Sequence, residues 1–415
     1  MWIKRDLDTI WTQPSLPVRI IQGLRQSGKT SFLEHVAPLA EVARLDDLAE
    51  RRLAQDDPAL FFQSHAGRPL IIDEAQYAPN LFPEIKAQVD AARKRRRQHP
   101  ESTAPAKSIG RNPSPTMAPM FLLSGSNQTL VHAEVRETLA GRAAFYKLHT
   151  LSIREILRVR PDYAVFEYFL RGGWPELHVD TALSERDFLN DYISTFLEKD
   201  IARSAGIAKL GAFERALGLL AARTGQQLNV AELAGQVGVD ATTLKGWVSV
   251  LEQNLVVGVL QPYFSNLSKR LVKTPKIYFL EPSLASRLQG WTTLEPLLKS
   301  PSVGGLFETL VYGEIVRTID HSRASAELYY LRTRDGDEID FLVIGPNGRH
   351  LLLEAKLAVQ ATSSVQVPKE FAKILPVVTP LWVVTAGGRS RKLSTDCECV
   401  PIQELADRLE GWVSD

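Results

Sequence analysis

Cysteine, net charge and long apolar runs are all scarce in this sequence, and each scarcity excludes a class of protein. Only two of the 415 residues are cysteines, Cys397 and Cys399, which are too few for a disulfide framework and are interpreted as free thiols. The 49 basic and 48 acidic residues leave a formal net charge of +1, which excludes a histone-like or supercharged protein. No run of about 18 apolar residues occurs, so we expect no membrane-spanning helix.

The N-terminal segment MWIKRDLDTIW also lacks the apolar stretch of a signal peptide, so we expect a cytoplasmic protein that does not associate with membranes. Hydrophobic residues make up 44% of the chain and charged residues 23%, proportions that are ordinary for globular domains. At about 150 residues per domain, the length predicts two or three domains, with enough apolar side chains for more than one core.

Short apolar runs alternate with helical patterns in the N-terminal part of the chain. The runs are VRIIQ (18–22), EVARL (41–45), PLIID (69–73) and MFLLSG (120–125), with AFYKL (144–148) as a fifth candidate. Buried strands that alternate with helices are typical of a parallel sheet covered by helices on its faces. The sequence therefore predicts an α/β fold for this part.

A basic, proline-rich segment interrupts this alternation at residues 93–119. It contains seven Lys or Arg residues, one acidic residue and five prolines. Because few apolar side chains are available to stabilise an ordered structure, we expect a flexible insertion that extends from a helix. The segment is interpreted as a solvated loop, with contact to nucleic acid as the alternative. Its net charge of +6 leaves −5 on the rest of the chain, so overall neutrality does not exclude a nucleic-acid partner.

The segment GLRQSGKT, Gly23 to Thr30, matches the phosphate-binding pattern G-x-x-x-x-G-K-[ST] at every position, between a predicted strand and a predicted helix. Gly23 and Gly28 permit the tight backbone that directs N–H groups at phosphates. Lys29 is expected to reach the β- and γ-phosphates of ATP, and the Thr30 hydroxyl to bind Mg²⁺. The predicted nucleotide-binding set also contains Gln26, Ser27 and Ser31.

The apolar strand PLIID ends in one acid, Asp73, and a second acid, Glu74, follows it directly. Asp73 is expected to hold Mg²⁺ directly or through water, and Glu74 to activate the attacking water. After MFLLSG, Ser126 or Asn127 is positioned to sense the γ-phosphate, with a simple turn at the strand end as the alternative. Asn127 is included in the nucleotide-binding set.

Hydrolysis of this kind often uses an arginine that stabilises charge on the transferred phosphoryl group. Arg142 in the segment LAGR is the first candidate and is included among the catalytic residues; Arg136 is the alternative. Either side chain would act within its own chain or on a neighbouring subunit of a homo-oligomer.

These motifs and several later ones resemble those of the abundant prokaryotic AAA-family ATPases that carry a C-terminal domain of unknown function. The matching segments are GLRQSGKTSFL, LIIDEAQ, LLSGSNQ, ETLAGR, LHTLSIREI, FLRGGWPEL, YISTFLEKDI, KTPKIYFLEPSLA, GGLFETLVYGEI and EIDFLV with LLLEAK. The resemblance covers nearly the whole chain and implies an AAA-type (RecA-like) P-loop ATPase. Two features depart from the family pattern: the insertion 93–119 is longer than usual, and Glu281 and Pro282 replace an Asp and a small residue.

The middle of the chain contains LNVAELAGQVGVDATTLKGWVSVLEQNLVV, which predicts a helix–turn–helix. Apolar residues recur at helical spacing on both sides of a turn at Gly238, and Asp240 is positioned to cap the second helix. The basic residues of a following strand pair are Lys269, Arg270, Lys273 and Lys276. They would supply phosphate contacts from the wing of a winged helix, so DNA is a candidate partner. The alternative is a packing module that binds no nucleic acid.

Charged residues on two predicted strands form a second candidate site near the C-terminus. Asp340 in EIDFLVI would meet Glu354 and Lys356 of HLLLEAKL across a hairpin with the turn sequence GPNG. Glu308 on the preceding helix, and Glu338, are further acids for a divalent-metal site beside Lys356. The spacing resembles the D…E-x-K core of the restriction-endonuclease-like (PD-(D/E)XK) fold, and the whole α/β section looks like that fold.

Three interpretations of this section stay open: an active nuclease, a metal-binding domain that does not cleave, and a structural or interaction domain. The predicted domains are a P-loop ATPase (1–158), a helical and winged-helix-like module (159–290) and a nuclease-like α/β domain (291–415). The chain is interpreted as a Mg²⁺-dependent ATPase that couples nucleotide state to the other two domains. The alternatives are an ATP-regulated DNA nuclease or remodeller and a slow nucleotide switch that binds a protein or DNA partner.

Overall fold

The computed structural model describes residues 2–98, 120–125, 137–263, 273–359, 367–376 and 379–414. The chain divides into two compact units, one formed by residues 7–148 and the other by residues 1–6 together with residues 149–415. Among the described residues, no helix has both the length and the apolar character needed to cross a membrane.

The first unit is built on a five-stranded sheet in which every pairing is parallel. The strands are β1 (Val18–Gln22), β2 (Glu41–Arg44), β3 (Leu70–Asp73), β4 (Phe121–Gly125) and β5 (Ala143–Lys147), in the spatial order β2-β3-β4-β1-β5. All five predicted strands are confirmed, including the fifth candidate. Because β4 lies between β1 and β3, the carboxyl ends of these three strands are adjacent at one edge of the sheet.

Helices cover this sheet, and its central strands β1, β3 and β4 are buried along their whole length. The helices are α1 (Asp8–Trp11), α2 (Lys29–Val36), α3 (Leu48–Asp56), α4 (Pro58–Ser64) and α5 (Leu81–Gln98). Ile20 and Leu123 of the sheet share a buried core with Phe61 of α4 and Ile85 of α5. Near-continuous apolar strands of this kind are expected where both faces of a parallel sheet are covered. The helix α5 includes residues 93–98 of the predicted insertion, and the remainder of the insertion lies outside the described residues.

Short helices form the first part of the second unit. They are α6 (Ile153–Leu157), α7 (Tyr168–Arg171), α8 (Pro175–Val179), α9 (Glu185–Tyr192), α10 (Ala202–Ser204) and α11 (Leu210–Ala222). Between α9 and α10 the chain continues as a π-helix over Ile193–Ile201. This change in helical pitch has no counterpart in the sequence analysis, because apolar spacing does not separate a π-helix from an α-helix.

The predicted pair of helices is present as α12 (Val230–Val237) and α13 (Ala241–Gln253). Gly238 adopts a left-handed conformation with φ 83°, and Asp240 caps α13 by accepting a hydrogen bond of 2.8 Å from the backbone N–H of Thr243. The strands β6 (Gln226–Gln227), β7 (Val257–Leu260) and β8 (Lys276–Phe279) form an antiparallel sheet in the order β6-β8-β7. The winged-helix assignment stays a prediction.

The prediction that Lys276 contacts phosphate from an exposed wing is wrong. Lys276 is the first residue of β8, and its side chain is 2% exposed. Its ammonium group points at carboxylates, which satisfy its charge inside the second unit. Lys269 and Arg270 lie outside the described residues.

A six-stranded mixed sheet forms the C-terminal part. Three helices precede this sheet in the chain: α14 (Pro282–Leu288), α15 (Leu294–Leu298) and α16 (Ser302–Ser322). Two more belong to the same part, α17 (Lys369–Ala372) between strands and α18 (Ile402–Ser414) after the last strand. The strands are β9 (Glu327–Arg332), β10 (Glu338–Ile344), β11 (His350–Lys356), β12 (Leu381–Thr385), β13 (Arg391–Lys392) and β14 (Cys397–Pro401). Their order is β13-β14-β12-β11-β10-β9, and the predicted hairpin of β10 and β11 is confirmed. Both cysteines are free and buried on β14, as predicted.

The boundaries near residues 158 and 290 stay predictions. The division between the compact units falls between Leu148 and His149, and residues 159–290 and 291–415 belong to one unit. The helix α16, which carries Glu308, packs against both β8 and α18. A single long helix therefore contributes to the packing of both predicted modules.

Candidate functional site

The loop Gly23–Thr30 connects the carboxyl end of β1 to the start of α2, as the motif predicts. Gly28 has φ 87°, a left-handed conformation that glycine adopts without steric cost, and it is the residue that precedes α2. At Gly23 the requirement is a close backbone approach, because an added Cβ would lie 2.1 Å from the carbonyl oxygen of Leu148. The two glycines thus allow the loop to close tightly over the N-terminus of a helix.

Lys29 is held inside this loop. Its side chain is buried, and Nζ donates hydrogen bonds to the carbonyl oxygens of Gly23 at 3.1 Å and Leu24 at 2.8 Å. Burial lowers the pKa of the Lys29 ammonium, while the nearby carboxylates of Glu74 and Asp73 act in the opposite direction. The ammonium therefore lies where an anion at the loop would replace two carbonyl partners.

Thr30 and Asp73 meet across the site. The Thr30 hydroxyl donates to both carboxylate oxygens of Asp73, at 3.0 and 2.9 Å. The hydroxyl of Ser124, near the end of β4, also donates to Asp73. Sequence reasoning did not identify Ser124, although a polar residue in the otherwise apolar run MFLLSG was a usable signal. Hydroxyl and carboxylate oxygens are ligands that Mg²⁺ prefers, so this pair fits a magnesium ion.

Glu74 follows β3 in a left-handed backbone conformation with φ 55°. Its carboxylate accepts a hydrogen bond from the side-chain amide of Gln76, which is 7% exposed. A non-glycine residue in this conformation costs about 1–3 kcal/mol and persists where the surroundings impose it. This conformation turns the backbone at Glu74 away from the direction of β3, directly after Asp73.

The other predicted nucleotide-binding residues lie on the same loop with different exposures. Ser27 is buried, whereas Gln26 and Ser31 are exposed. Gln26 has φ 62°, a second left-handed non-glycine residue at this site. The predicted γ-phosphate sensors Ser126 and Asn127, and the alternative arginine Arg136, lie outside the described residues.

Arg142 lies at the amino ends of the parallel strands, whereas the loop follows the carboxyl end of β1. Arg142 immediately precedes β5, whose first residue Ala143 is in register with Val18 at the start of β1. The loop leaves the other end of β1, about 13 Å away along the strand. Arg142 instead makes two hydrogen bonds of 2.7 Å to the two carboxylate oxygens of Asp90 on α5. The expectation that Arg142 serves a nucleotide in its own chain is therefore not met in this structure, because the length of β1 lies between Arg142 and the loop.

At the second candidate site, the structure brings the predicted D…E-x-K residues together. Oδ2 of Asp340 accepts a hydrogen bond of 2.8 Å from the backbone N–H of Ala355, between the other two residues on β11. Oε2 of Glu354 lies 3.3 Å from the backbone nitrogen of Asp340, and Nζ of Lys356 lies 2.7 Å from Oε1 of Glu354. Pairing of β10 with β11 explains this convergence.

Glu308 and Glu338 extend the same group of carboxylates. One oxygen from each of Glu308, Glu338 and Asp340 lies within 4.8 Å of the other two. Glu354, predicted as a metal ligand beside Asp340, is not part of this group, whereas Glu308 and Glu338, predicted as further acids, are. The charge at the centre comes from Lys276, whose Nζ lies 2.8 Å from Glu308, contacts Glu338 and lies 3.9 Å from Asp340.

Burial and crowding shift the protonation of this cluster. Burial, together with the charges of Glu308 and Glu354, raises the pKa of Asp340. Burial also raises the pKa of Glu308, against the opposing effect of Lys276. For Lys276 itself, burial lowers the pKa, but Glu308, Asp340 and Glu338 outweigh it and raise the pKa above its usual value. The surrounding carboxylates therefore favour the charged form of Lys276.

Comparison with known proteins places the chain in a family. Residues 15–105 match an AAA domain, residues 163–295 match a domain of unknown function (DUF8612), and residues 303–405 match a second one (DUF4143). The expected AAA domain and C-terminal domain of unknown function are thereby confirmed. The restriction-endonuclease-like assignment stays a prediction.

Two similar proteins are uncharacterized proteins Rv2008c of Mycobacterium tuberculosis and Mb2031c of Mycobacterium bovis. Each is 30% identical over 395 residues, which is 94% of this chain and 81% of theirs. Among solved structures, the Walker-type ATPase PABY2304 of Pyrococcus abyssi aligns with 68% of this chain and 94% of its own at 12% identity and a TM-score of 0.38. The ORC2 protein of Aeropyrum pernix aligns with 68% of this chain and 90% of its own at 13% identity and a TM-score of 0.35. With 30% identity across 81% of the two mycobacterial proteins, the chain belongs to their family, and it carries an AAA domain followed by two domains of unknown function.

Proposed function

We propose that the first unit binds ATP with Mg²⁺ and hydrolyses it. The observation that carries this proposal is the pairing of Thr30 with Asp73 beside the loop that holds Lys29. A hydroxyl and a carboxylate at hydrogen-bond distance form a ready set of ligands for Mg²⁺, and a buried ammonium beside them fits a phosphate. Bound Mg²⁺ would neutralise charge on the β- and γ-phosphates.

The residues of this chain have separate roles in ATP binding and hydrolysis. Backbone N–H groups of the loop and of the start of α2 bind phosphate oxygens. Lys29 exchanges its bonds to loop carbonyls for bonds to the β- and γ-phosphates, and Thr30 and Asp73 hold Mg²⁺. Glu74 orients a water molecule and accepts its proton, which is the role that makes the site hydrolytic rather than only a binding site.

The test compares Lys29→Ala and Glu74→Gln with the wild-type protein and with Asp56→Asn, an exposed acid on α3, as the matched control. We expect Lys29→Ala to weaken binding of a fluorescent ATP analogue by at least about tenfold, because the phosphates lose their buried cation. Glu74→Gln should keep that affinity and lower kcat by about 10²-fold or more, as loss of a general base does. Phosphate release at the wild-type rate by Glu74→Gln would refute its role.

Arg142 can still supply a catalytic arginine if it reaches the site of a neighbouring subunit. Its position at the surface supports this proposal, since its side chain is partly exposed, at 22%, and its partner Asp90 is 43% exposed. A homo-oligomer is then required for full activity. Mixing Lys29→Ala subunits with Arg142→Ala subunits restores activity only if the arginine acts between chains.

A second candidate function concerns the C-terminal carboxylates. The convergence of Asp340, Glu354 and Lys356 on paired strands supports a metal-dependent nuclease, with the helix pair α12–α13 as a winged-helix-like DNA contact. Cleavage of plasmid DNA with Mg²⁺ or Mn²⁺, lost in Asp340→Ala but kept in Glu74→Gln, would establish it.

The same preparations separate the remaining alternatives. Stimulation of ATP hydrolysis by single- or double-stranded DNA would make nucleic acid the leading partner. Very slow turnover with nucleotide-dependent capture of a protein or DNA would instead favour a switch.

A further inference from the structure

Lys276 occupies the centre of a carboxylate cluster that belongs to other elements. It is carried by β8, whereas Glu308 lies on α16 and Glu338 and Asp340 lie on β10. Its side chain is 2% exposed, so the ammonium has no route to solvent in this conformation. Its contacts are carboxylates on two other elements, and sequence reasoning assigned it to an exposed wing instead.

The cluster has the geometry of a cation site and already contains a cation. The oxygens of Glu308, Glu338 and Asp340 that lie within 4.8 Å of one another are the kind of ligands that divalent metals bind. Carboxylates this close, with side chains only 18%, 21% and 11% exposed, repel one another, and a positive charge among them offsets that repulsion. Lys276 supplies that charge at 2.8 Å from Glu308 and in contact with Glu338.

Other contacts hold the lysine in place. Its ammonium lies 5.4 Å from the centre of the Tyr330 ring, a cation–π contact. Its backbone pairs with Leu260 of β7 and Gln227 of β6, so β8 is bonded on both sides. The hydroxyl of Tyr278, two residues further along β8, donates to Glu308 at 2.5 Å. Lys276 can therefore leave the cluster only by a large side-chain rearrangement or by movement of β8 itself.

We propose that Lys276 is the resident cation of this cluster, and that a divalent metal enters only when Lys276 is displaced. The lysine then acts as an autoinhibitory contact. The strand that carries it belongs to the small sheet next to α12 and α13, so displacement of that sheet exposes the acids to metal. This inference goes beyond ATP hydrolysis, since it requires neither nucleotide nor Glu74.

The test measures Mn²⁺ binding to the full chain, without nucleotide, by the loss of the electron paramagnetic resonance signal of free Mn²⁺. The proteins are the wild type, Lys276→Met, Lys276→Met with Asp340→Asn, and Lys299→Met as the control. Lys299 is an exposed lysine paired with Glu295 on α15. We expect Lys276→Met to bind Mn²⁺ at least tenfold more tightly than the wild type and the control. The double variant should lose this gain.

Two outcomes would overturn the proposal. Equal affinity of the wild type and Lys276→Met would show that the lysine does not compete with metal. If Lys276→Met is folded but gains no Mn²⁺ binding, the carboxylates do not form a metal site. Neither outcome affects the ATPase proposal, because Glu74→Gln should bind Mn²⁺ as the wild type does and Lys276→Met should hydrolyse ATP.

Removal of a buried counter-charge can also unfold the protein. Lys276→Gln shortens the side chain by one atom, keeps a hydrogen-bond donor and removes the charge, so it serves as the second variant. If the proposal holds, Mn²⁺ raises the Tm of Lys276→Gln by several degrees and leaves the Tm of the wild type and of Lys299→Met unchanged. An unchanged Tm of folded Lys276→Gln at saturating Mn²⁺ would count against it.

Discussion

Three residues at the nucleotide site have left-handed backbone conformations, and two of them are not glycine. They are Gln26 with φ 62°, Gly28 with φ 87° and Glu74 with φ 55°. Strained positions of this kind cluster where function requires a particular placement, because the surrounding structure must outweigh their cost. For Glu74, the visible restraint is the hydrogen bond from the amide of Gln76.

Gln76 is therefore expected to act as a positioning residue for Glu74. Gln76→Ala removes the amide that holds the carboxylate, so kcat for ATP hydrolysis should fall about threefold to tenfold, the equivalent of about 1 kcal/mol. The KM for ATP should change little, since Gln76 is not among the phosphate-binding residues. Steady-state kinetics of phosphate release measures both constants.

Gln63→Ala, an exposed glutamine on α4, is the matched control and should retain wild-type kinetics. Gln76→Asn provides a second readout, because a shorter amide should restore part of kcat. A rise in KM with unchanged kcat in Gln76→Ala would show that Gln76 supports binding rather than the orientation of Glu74.

At this scale, the sequence predicts residues whose neighbours along the chain define them. Gly28, Lys29 and Thr30 follow from one continuous motif, and Asp73 follows from the end of an apolar strand. Lys276 could not be placed this way. Its partners are 32 and 62 positions away in the sequence, and a lysine at the start of a strand is ordinarily exposed.

Among the elements, the edge strand β2 is tied to its neighbours by a histidine between two acids. Nδ1 of His65, after α4, lies 2.7 Å from Glu41 at the start of β2, and Nε2 lies 2.9 Å from Glu50 on α3. Burial lowers the pKa of His65, but Glu50 and Glu41 outweigh it and raise the pKa above 6.5. Arg68 also faces Glu41, and Glu41 accepts a hydrogen bond from the backbone N–H of Gly67.

This arrangement predicts a pH-dependent stability for the first unit. Because the folded pKa of His65 exceeds the unfolded pKa, its contribution is complete below about pH 6.5 and is lost as the pH rises through the folded pKa. Each unit of pKa difference is worth about 1.4 kcal/mol. The free energy of unfolding of the wild type should therefore fall from pH 6 to pH 8.5, as measured by urea unfolding.

His65→Gln removes the titrating group and should flatten the profile in this range. Burial raises the pKa of Glu41, but its hydrogen bonds with His65 and Gly67 outweigh burial and lower the pKa, so Glu41 does not produce the same slope. His35→Gln, on α2, is the control and should keep the wild-type profile. A slope in His65→Gln equal to that of the wild type would assign the pH dependence to another group.

Strands and helices with strong apolar patterns were predictable, and those formed by pairing alone were not. The strands β1 and β4 are mainly apolar runs, and the hairpin of β10 and β11 is marked by its turn sequence. The two-residue strands β6 and β13 contain Gln-Gln and Arg-Lys, which carry no strand pattern. Their conformation comes from the strand beside them, which is a tertiary effect.

At the scale of the whole molecule, the first residues of the chain belong to the second unit. Nε of Arg5 lies 3.1 Å from Oε1 of Glu155, and both side chains are buried. Arg5 also donates to the carbonyl oxygen of His149 at 2.5 Å, where the chain returns from the first unit. Asp6 pairs with Arg154 at 2.9 Å and with Arg158 at 2.7 Å.

This return of the chain could not be read from the sequence. The segment MWIKRD has no strong helix or strand pattern, and a boundary near 158 assigns it to the P-loop domain. Its partners on α6 are about 150 positions away. Contacts between residues this far apart in the sequence depend on tertiary packing rather than on local helix or strand preference, so composition and periodicity do not predict them.

Arg5→Met is consequently expected to destabilise the second unit. Glu155 is completely buried, and removal of its partner leaves a buried carboxylate without a counter-charge, which costs about 3–5 kcal/mol. Arg5→Met combined with Glu155→Gln should recover part of this loss, because Gln is neutral and its single amide oxygen can still accept a hydrogen bond from one of the two backbone N–H groups that Glu155 binds, those of Asp6 and Ser152. Urea unfolding measures the change, and hydrogen exchange should show lost protection in residues 149–157.

The matched control is Arg186→Met, which breaks an exposed ion pair with Asp187. An exposed pair contributes about 0–1 kcal/mol, so this variant should unfold close to the wild type. If Arg5→Met were no more destabilised than Arg186→Met, residues 2–6 would be a dispensable terminus rather than part of the second unit. Because the expected loss comes from the burial of the charge rather than from pairing itself, the difference between the free energies of unfolding of the two arginine variants is the decisive quantity.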